Sequence, residues 1–201
     1  MGIFNFKSNK KGAQETPVEM YLNHLDNIFQ QEPVYIMGEK DENGLQGVSV
    51  MMYKDVPEQG FITGITYGLS LVEHPEWKLG RQELCISVES TDENWAKVIG
   101  FVAEKLRGDC PFLYEQTINF REQISKDSEM DAFFVFAPST LDRDDYLNID
   151  IGLDYKINIA GFYPIYSSEI EVIEKIGLKD FWHHPNFDNY AVNRERIKDQ
   201  E

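Results

Sequence analysis

The sequence predicts a mixed α/β domain of the α+β kind, with a mainly antiparallel sheet and about three packed helices. Three observations predict it. Three stretches carry apolar residues at helical spacing behind N-terminal capping signals. Eight short segments rich in β-branched and aromatic residues read as strands. No repeat and no low-complexity linker divides the 201 residues, of which 42% are hydrophobic, so one core is expected.

Residues 1–15 read as a flexible basic arm, with Lys7, Lys10 and Lys11 and no acid before Glu15. Order is expected to begin at Thr16-Pro17-Val18-Glu19, a capping box with proline at the first helical position. Val18, Leu22, Leu25, Ile28 and Phe29 then share a helical face, and Pro33 ends the helix near Gln31. Val34–Met37 and Val48–Tyr53 are extended segments around an Asn43-Gly44 turn signal. Phe61–Tyr67 is a third strand. In Glu83–Glu89, Leu84, Ile86 and Val88 alternate with Glu83, Cys85, Ser87 and Glu89. Ser90-Thr91-Asp92-Glu93 reads as a second capping box. Behind it Trp95, Ile99, Val102 and Leu106 form an apolar stripe, closed by Gly108.

Thr117–Phe120 and Ala132–Ala137 follow as strands. The second is apolar throughout, which predicts a central strand covered on both faces. Leu147–Gly152 and Lys156–Phe162 alternate again. A third helix is expected from Ser168, with Ile170, Ile173 and Ile176 inward and Gly177 closing it, then a helical turn over Lys179–His184. The domain is expected to span residues 16–184 and to leave 185–201 as a polar tail.

Thirty-five acids face nineteen Lys and Arg, for a formal charge of −16. Setting aside the three lysines of the arm leaves −19 on the rest. Such a surface repels phosphate backbones and anionic bilayers, so no direct nucleic-acid or membrane binding is expected. It attracts a basic protein and speeds encounter with it. Glu122–Asp154 is the densest acidic tract, with nine acids against Lys126 and Arg143. Within it Asp142, Asp144, Asp145 and Asp150, with Tyr146 beside them, are the candidate partner-binding residues; Phe112 is a second candidate aromatic anchor. Asp142–Asp145 does not make a calcium loop, because Tyr146 and Leu147 stand where a further oxygen ligand and a glycine are needed.

Two cysteines, Cys85 and Cys110, make neither a disulfide framework nor a zinc site, and point to a reducing compartment. No apolar run is long enough for a signal peptide or a membrane span. A cytoplasmic protein is expected. No dinucleotide fingerprint, phosphate loop or nucleophile elbow is present, and Ser70 reads as a turn serine. His183 and His184 are helix neighbours about 100° apart, poorly placed to share a metal. No enzyme activity, metal or cofactor is expected.

Phe61–Ser70 reads FITGITYGLS. Gln82–Val88 follows as QELCISV, and then a helix opening with Trp95. Later come Phe133–Pro138, Ile159–Tyr166 and a helix containing Glu169. In this order and spacing the residues resemble the suppressor-of-fused family over about residues 16–184, in its compact bacterial form. The shared signature is Gly68, Leu69, Ser70, Glu83, Leu84, Trp95 and Glu169. Fold-defining roles are expected for them. Gly68 supplies a conformation that a side chain forbids, Glu83 accepts bonds from the turn around Ser70, and Trp95 anchors its helix on the sheet. The resemblance implies an immunity protein that neutralises a toxin, often a nuclease, and such a toxin must present positive charge to phosphate. A regulatory or scaffold module that binds another protein or peptide is the alternative.

Overall fold

The structure, a computed structural model, describes residues 14–198. Most of the basic arm, residues 1–13, lies outside the described residues. Helix α1, Pro17–Phe29, starts where the capping box closes. Thr16 Oγ1 accepts from the Glu19 amide at 3.3 Å, and the Glu19 carboxylate accepts from the Thr16 amide at 2.8 Å. Two of the orphan donors at the helix start are satisfied in this way. Gln30, left-handed at φ 50°, ends the helix.

Seven strands form one sheet: β1 (Val34–Ile36), β2 (Ser49–Lys54), β3 (Phe61–Tyr67), β4 (Arg81–Glu89), β5 (Thr117–Asn119), β6 (Ala132–Phe136) and β7 (Ile157–Ile165), in the order β1-β2-β3-β4-β7-β6-β5. Every neighbouring pair is antiparallel except β4–β7. The parallel pair runs from Arg81↔Ile157 to Cys85↔Gly161. It joins the halves of the sheet, and everything between residues 90 and 156 is its crossover.

Helices cover both faces. On one, α2 (Asn94–Leu106) lays Trp95, Ile99 and Val102 on Leu84, Ile86, Val88 and Phe162. Gly64 of β3 lets α2 approach closely, since a Cβ there would stand 3.0 Å from Ala96. On the other face, Tyr21 and Leu25 of α1 pack on Met51, Ile65, Cys85 and Ile159. Farther along that face lie α4 (Ile170–Ile176) and α5 (Leu178–Trp182), where Ile173 and Phe181 meet Phe134 and Tyr163. The short α3 (Arg143–Tyr146) belongs to the loop over α1's side.

Four details differ from the sequence reading. The Ser90 capping box does not form. Ser90 Oγ donates to Asp127 at 2.5 Å, and Asp92 Oδ1 takes the Asn94 amide at 3.0 Å, so α2 starts at Asn94. The alternation in β4 does not become an alternation in burial, because α1 covers the Cys85 face as α2 covers the Leu84 face. Leu147–Gly152 is not a strand: Asn148 (φ 57°) and Gly152 (φ 75°) turn the chain on either side, and only Ile149 bridges Ile157. Finally, residues 186–198 do not stand off the body as a tail. Val192 and Ile197 are buried, and Ala191 bridges Glu89 at the end of β4. Their apolar side chains fill gaps that the helices leave.

Candidate functional site

The signature residues other than Trp95 lie at or beside two fully buried carboxylates, Glu83 and Glu169. At the first, β3 leaves the sheet at Tyr67 and turns through Gly68, Leu69 and Ser70. Gly68 has φ 129°, and a Cβ there would stand 3.0 Å from Gly47 O and from Val48 Cα, so glycine is required. Glu83, on the neighbouring β4, reaches under this turn. One carboxylate oxygen accepts from the Gly68 amide (2.8 Å), the Ser70 amide (3.0 Å) and Ser70 Oγ (2.7 Å). The other accepts from Thr66 Oγ1 at 2.6 Å, which itself accepts the Leu84 amide. All four donors to Glu83 are neutral. Burial raises the Glu83 pKa above the ordinary carboxyl value, and the hydrogen bonds from Ser70, Thr66 and Gly68 oppose that shift. Arg107, from the end of α2, clamps the same turn through Gly68 O (3.1 Å) and Gln46 O (2.8 Å).

At the second, Glu169 ends the short 3-10 turn Ser167–Glu169 that follows β7. Its carboxylate takes both arms of the Arg194 guanidinium, at 2.6 and 2.7 Å, and the amides of Tyr166 and Ile197. Tyr166 Oη donates to Arg194 O at 2.7 Å, completing a clasp around the C-terminal segment. Trp95 is fully buried, and its indole N–H donates to Asp127 at 3.2 Å.

The acidic tract does not form one surface. Asp127, Glu129 and Asp131 are spent on structure. Asp127 takes Ser90, Ser125 and Trp95, Glu129 pairs with Arg196, and Asp131 takes the Ser167 amide and hydroxyl. Asp150 pairs with Lys156 at 2.5 Å, which holds its pKa below the ordinary carboxylate value. Asp142 at the N-cap of α3, and Asp144 and Asp145 in its first turn, make no ion pair among the described residues. Asp142 and Asp144 are exposed, and Asp145 is half-buried. His24 of α1 meets the Asp145 carbonyl at 2.7 Å and fixes the loop to the body. Tyr146 is half-buried against the α1-side core and keeps part of its ring at the surface. Phe112 is not available as an anchor. It is fully buried at φ 49°, 6.1 Å from the Phe162 ring, because Pro111 turns it into the α2-side core.

Burial pushes the Cys85 thiol up to about 12 and raises Cys110 as well, so neither is an activated thiolate. His183 Nδ1 meets Lys179 O at 2.7 Å, and His184 Nδ1 accepts the Asn186 amide at 3.2 Å, both local helix-end contacts. Among the described residues no three His, Cys, Asp or Glu side chains gather as a metal-ligand set, and no helix is long and apolar enough to cross a membrane.

Residues 41–194 match the suppressor of fused protein (SUFU) family. The chain belongs to that family. Solved structures share the SUFU fold. A suppressor-of-fused homologue from Neisseria gonorrhoeae FA 1090 superposes with a TM-score of 0.71 at 15% identity, covering 90% of this chain and 97% of that one. The structure of the Sufu–Fu complex gives 0.65 at 15%, covering 91% of each chain. Drosophila Suppressor of Fused gives 0.61 at 13%, covering 89% of this chain and 50% of that one. No curated protein sequence matches the chain. In SUFU terms, the turn at Gly68 and the clasp at Glu169 are where the sequence resemblance becomes three-dimensional.

Sequence reasoning missed Arg194, the partner of Glu169. The available signal was a pair of apolar residues, Val192 and Ile197, on either side of Arg194 in a largely polar segment. It also missed Arg81, which carries the turn from its other side, with Nη1 3.1 Å from Ser70 O.

Proposed function

We propose that this SUFU domain is a stoichiometric protein-binding module with a basic partner, and that it acts in the cytoplasm as an immunity protein against a nuclease-type toxin domain. The observation that carries the reading is the α3 loop. Three carboxylates and a part-exposed tyrosine sit together on a body with formal charge −16. Such a loop offers charge that folding does not use, beside an aromatic anchor of the kind that dominates interfaces. A toxin that engages phosphate must display cationic side chains, and these are what the loop would cover. Inhibition then follows from occupancy rather than turnover.

The test is co-expression with a candidate nuclease-type toxin domain sought in the neighbouring genes. The reading predicts a one-to-one complex by light scattering and protection of growth. Absence of a complex with that toxin, or turnover of a hydrolase substrate by the purified chain, would sink it.

A further inference from the structure

The geometry points to a second binding site, built from residues other than those of the α3 loop and centred on one arginine. A cleft of about 460 Å³ opens between the loop 73–80 and the turn 154–156. Lys78, Arg81 and Lys156 line it with Glu73 and Asp154; Lys156 is paired with Asp150 and Arg81 with Glu73. Its walls are fixed before any ligand arrives. Asn158 Nδ2 donates to Leu79 O (3.2 Å), and Trp77 Nε1 donates to Pro111 O (2.7 Å). Gly80 sits at φ 129°, where a Cβ would come within 2.8 Å of Lys156 O. The signature turn holds the cleft's cation: Ser70 O accepts Arg81 Nη1, while Glu83 holds Ser70 from below.

Arg81 is the focus. Its guanidinium lies 3.8 Å over the Tyr155 ring, which fixes its plane. The remaining arm, Nη2, meets Glu73 Oε1 at 2.6 Å. The two partners differ sharply in exposure, with the Arg81 side chain 17% exposed and that of Glu73 83%. A pre-positioned arginine therefore holds a carboxylate that water holds almost as well. Such a pair contributes little, so another carboxylate can replace Glu73 at small cost. Leu79, 83% exposed, stands at the rim.

We infer that the cleft binds a peptide carboxylate flanked by an aliphatic side chain. The carboxylate takes the place of Glu73 on Arg81, and the aliphatic group covers Leu79 and Trp77. A chain terminus and a glutamate side chain share this chemistry. Three probes separate them: N-acetyl-Leu-Leu with a free terminal carboxylate, its terminal amide, and N-acetyl-Leu-Glu-amide.

The full chain is titrated with each probe and followed by amide and indole NMR. The expected result is a saturable shift at the Trp77 indole N–H and the Leu79 amide with a carboxylate probe, and none with the amide. The acid probe that binds more tightly names the source. Glu73→Gln removes the internal competitor and touches no core, so it should tighten binding by about threefold, in line with a surface ion pair. Arg81→Lys keeps the charge but loses the fork, and should weaken binding while the remaining spectrum stays native. Equal binding of the amide probe would overturn the inference. So would weaker binding by Glu73→Gln, or no saturable shift in either the parent or that variant.

Discussion

This chain keeps carboxylates in two regions under opposite rules. Glu83 and Glu169 are sealed in the body, each taking at least four hydrogen bonds. Asp142, Asp144 and Asp145 lie at the start of a four-residue helix with no ion pair among the described residues. Burying a carboxylate costs several kcal/mol unless its oxygens are saturated. The hydrogen bonds around the two glutamates offset that cost. The three aspartate side chains make no ion pair among the described residues, and the proposed function assigns them to a partner. The buried pair differs internally too. Glu83 relies on neutral donors from a single turn and the adjoining strand end, whereas Glu169 recruits a guanidinium from 25 residues downstream. The first fixes a local turn in the sheet; the second fastens the C-terminal segment to the body.

The largest effect should come from breaking the clasp. Arg194→Ala leaves Glu169 buried with no cation, and should cost about 3–5 kcal/mol in denaturant unfolding. An unchanged midpoint would mean that the C-terminal segment contributes nothing to the domain. Trp95→Ala should cost a similar amount, about 3–5 kcal/mol, because a fully buried indole and its bond to Asp127 are lost together. If the variant unfolds at the parent midpoint, α2 is not anchored as described.

Glu83→Gln should be milder. The amide oxygen keeps the three bonds from Gly68 and Ser70, while the –NH₂ group faces Thr66 Oγ1, which must reorient. A cost of about 1–2 kcal/mol is expected at acid pH, where the parent carboxyl is protonated. The pH dependence is more telling. A carboxyl whose pKa is raised on folding binds its proton more readily in the native state than in the unfolded one. Its contribution is fully present below the ordinary carboxyl value and is lost as pH rises through the raised folded value. The parent's advantage over Glu83→Gln should therefore shrink with rising pH across that window. A difference that stays constant, or grows with pH, would show that the neutral donors compensate the charge fully.

Much of this division was legible in the sequence. Thr16 through Glu19 spell their own helix cap, and Phe61–Tyr67 and Ala132–Phe136 carry strand residues on both faces because both faces are covered. The bond from Glu83 to the Ser70 turn is short-range enough to read from the motif. What sequence could not supply is long-range pairing. Ser90 reads as a helix cap, yet it spends its hydroxyl on Asp127, 37 residues away. Arg194 lies in a run whose polarity hides a buried clasp. The acidic tract, continuous in sequence, is divided by the sheet into acids that hold the body together and acids left at its surface. Net charge counts both kinds alike; only geometry separates them.

The smallest effect on stability, and the most direct test of function, belongs to the α3 loop. Changing Asp142, Asp144 and Asp145 together to Asn preserves size and polarity and should leave the unfolding midpoint almost unmoved. The decisive measurement is the association rate constant of parent and triple variant with the proposed partner, a basic toxin domain, at low and physiological salt. Steered encounter predicts that the parent's association slows steeply as salt rises. The variant should associate more slowly at low salt and depend less on salt, with dissociation changing less than association. A variant that associates as fast as the parent, with the same salt dependence, would show that this loop does not face the partner.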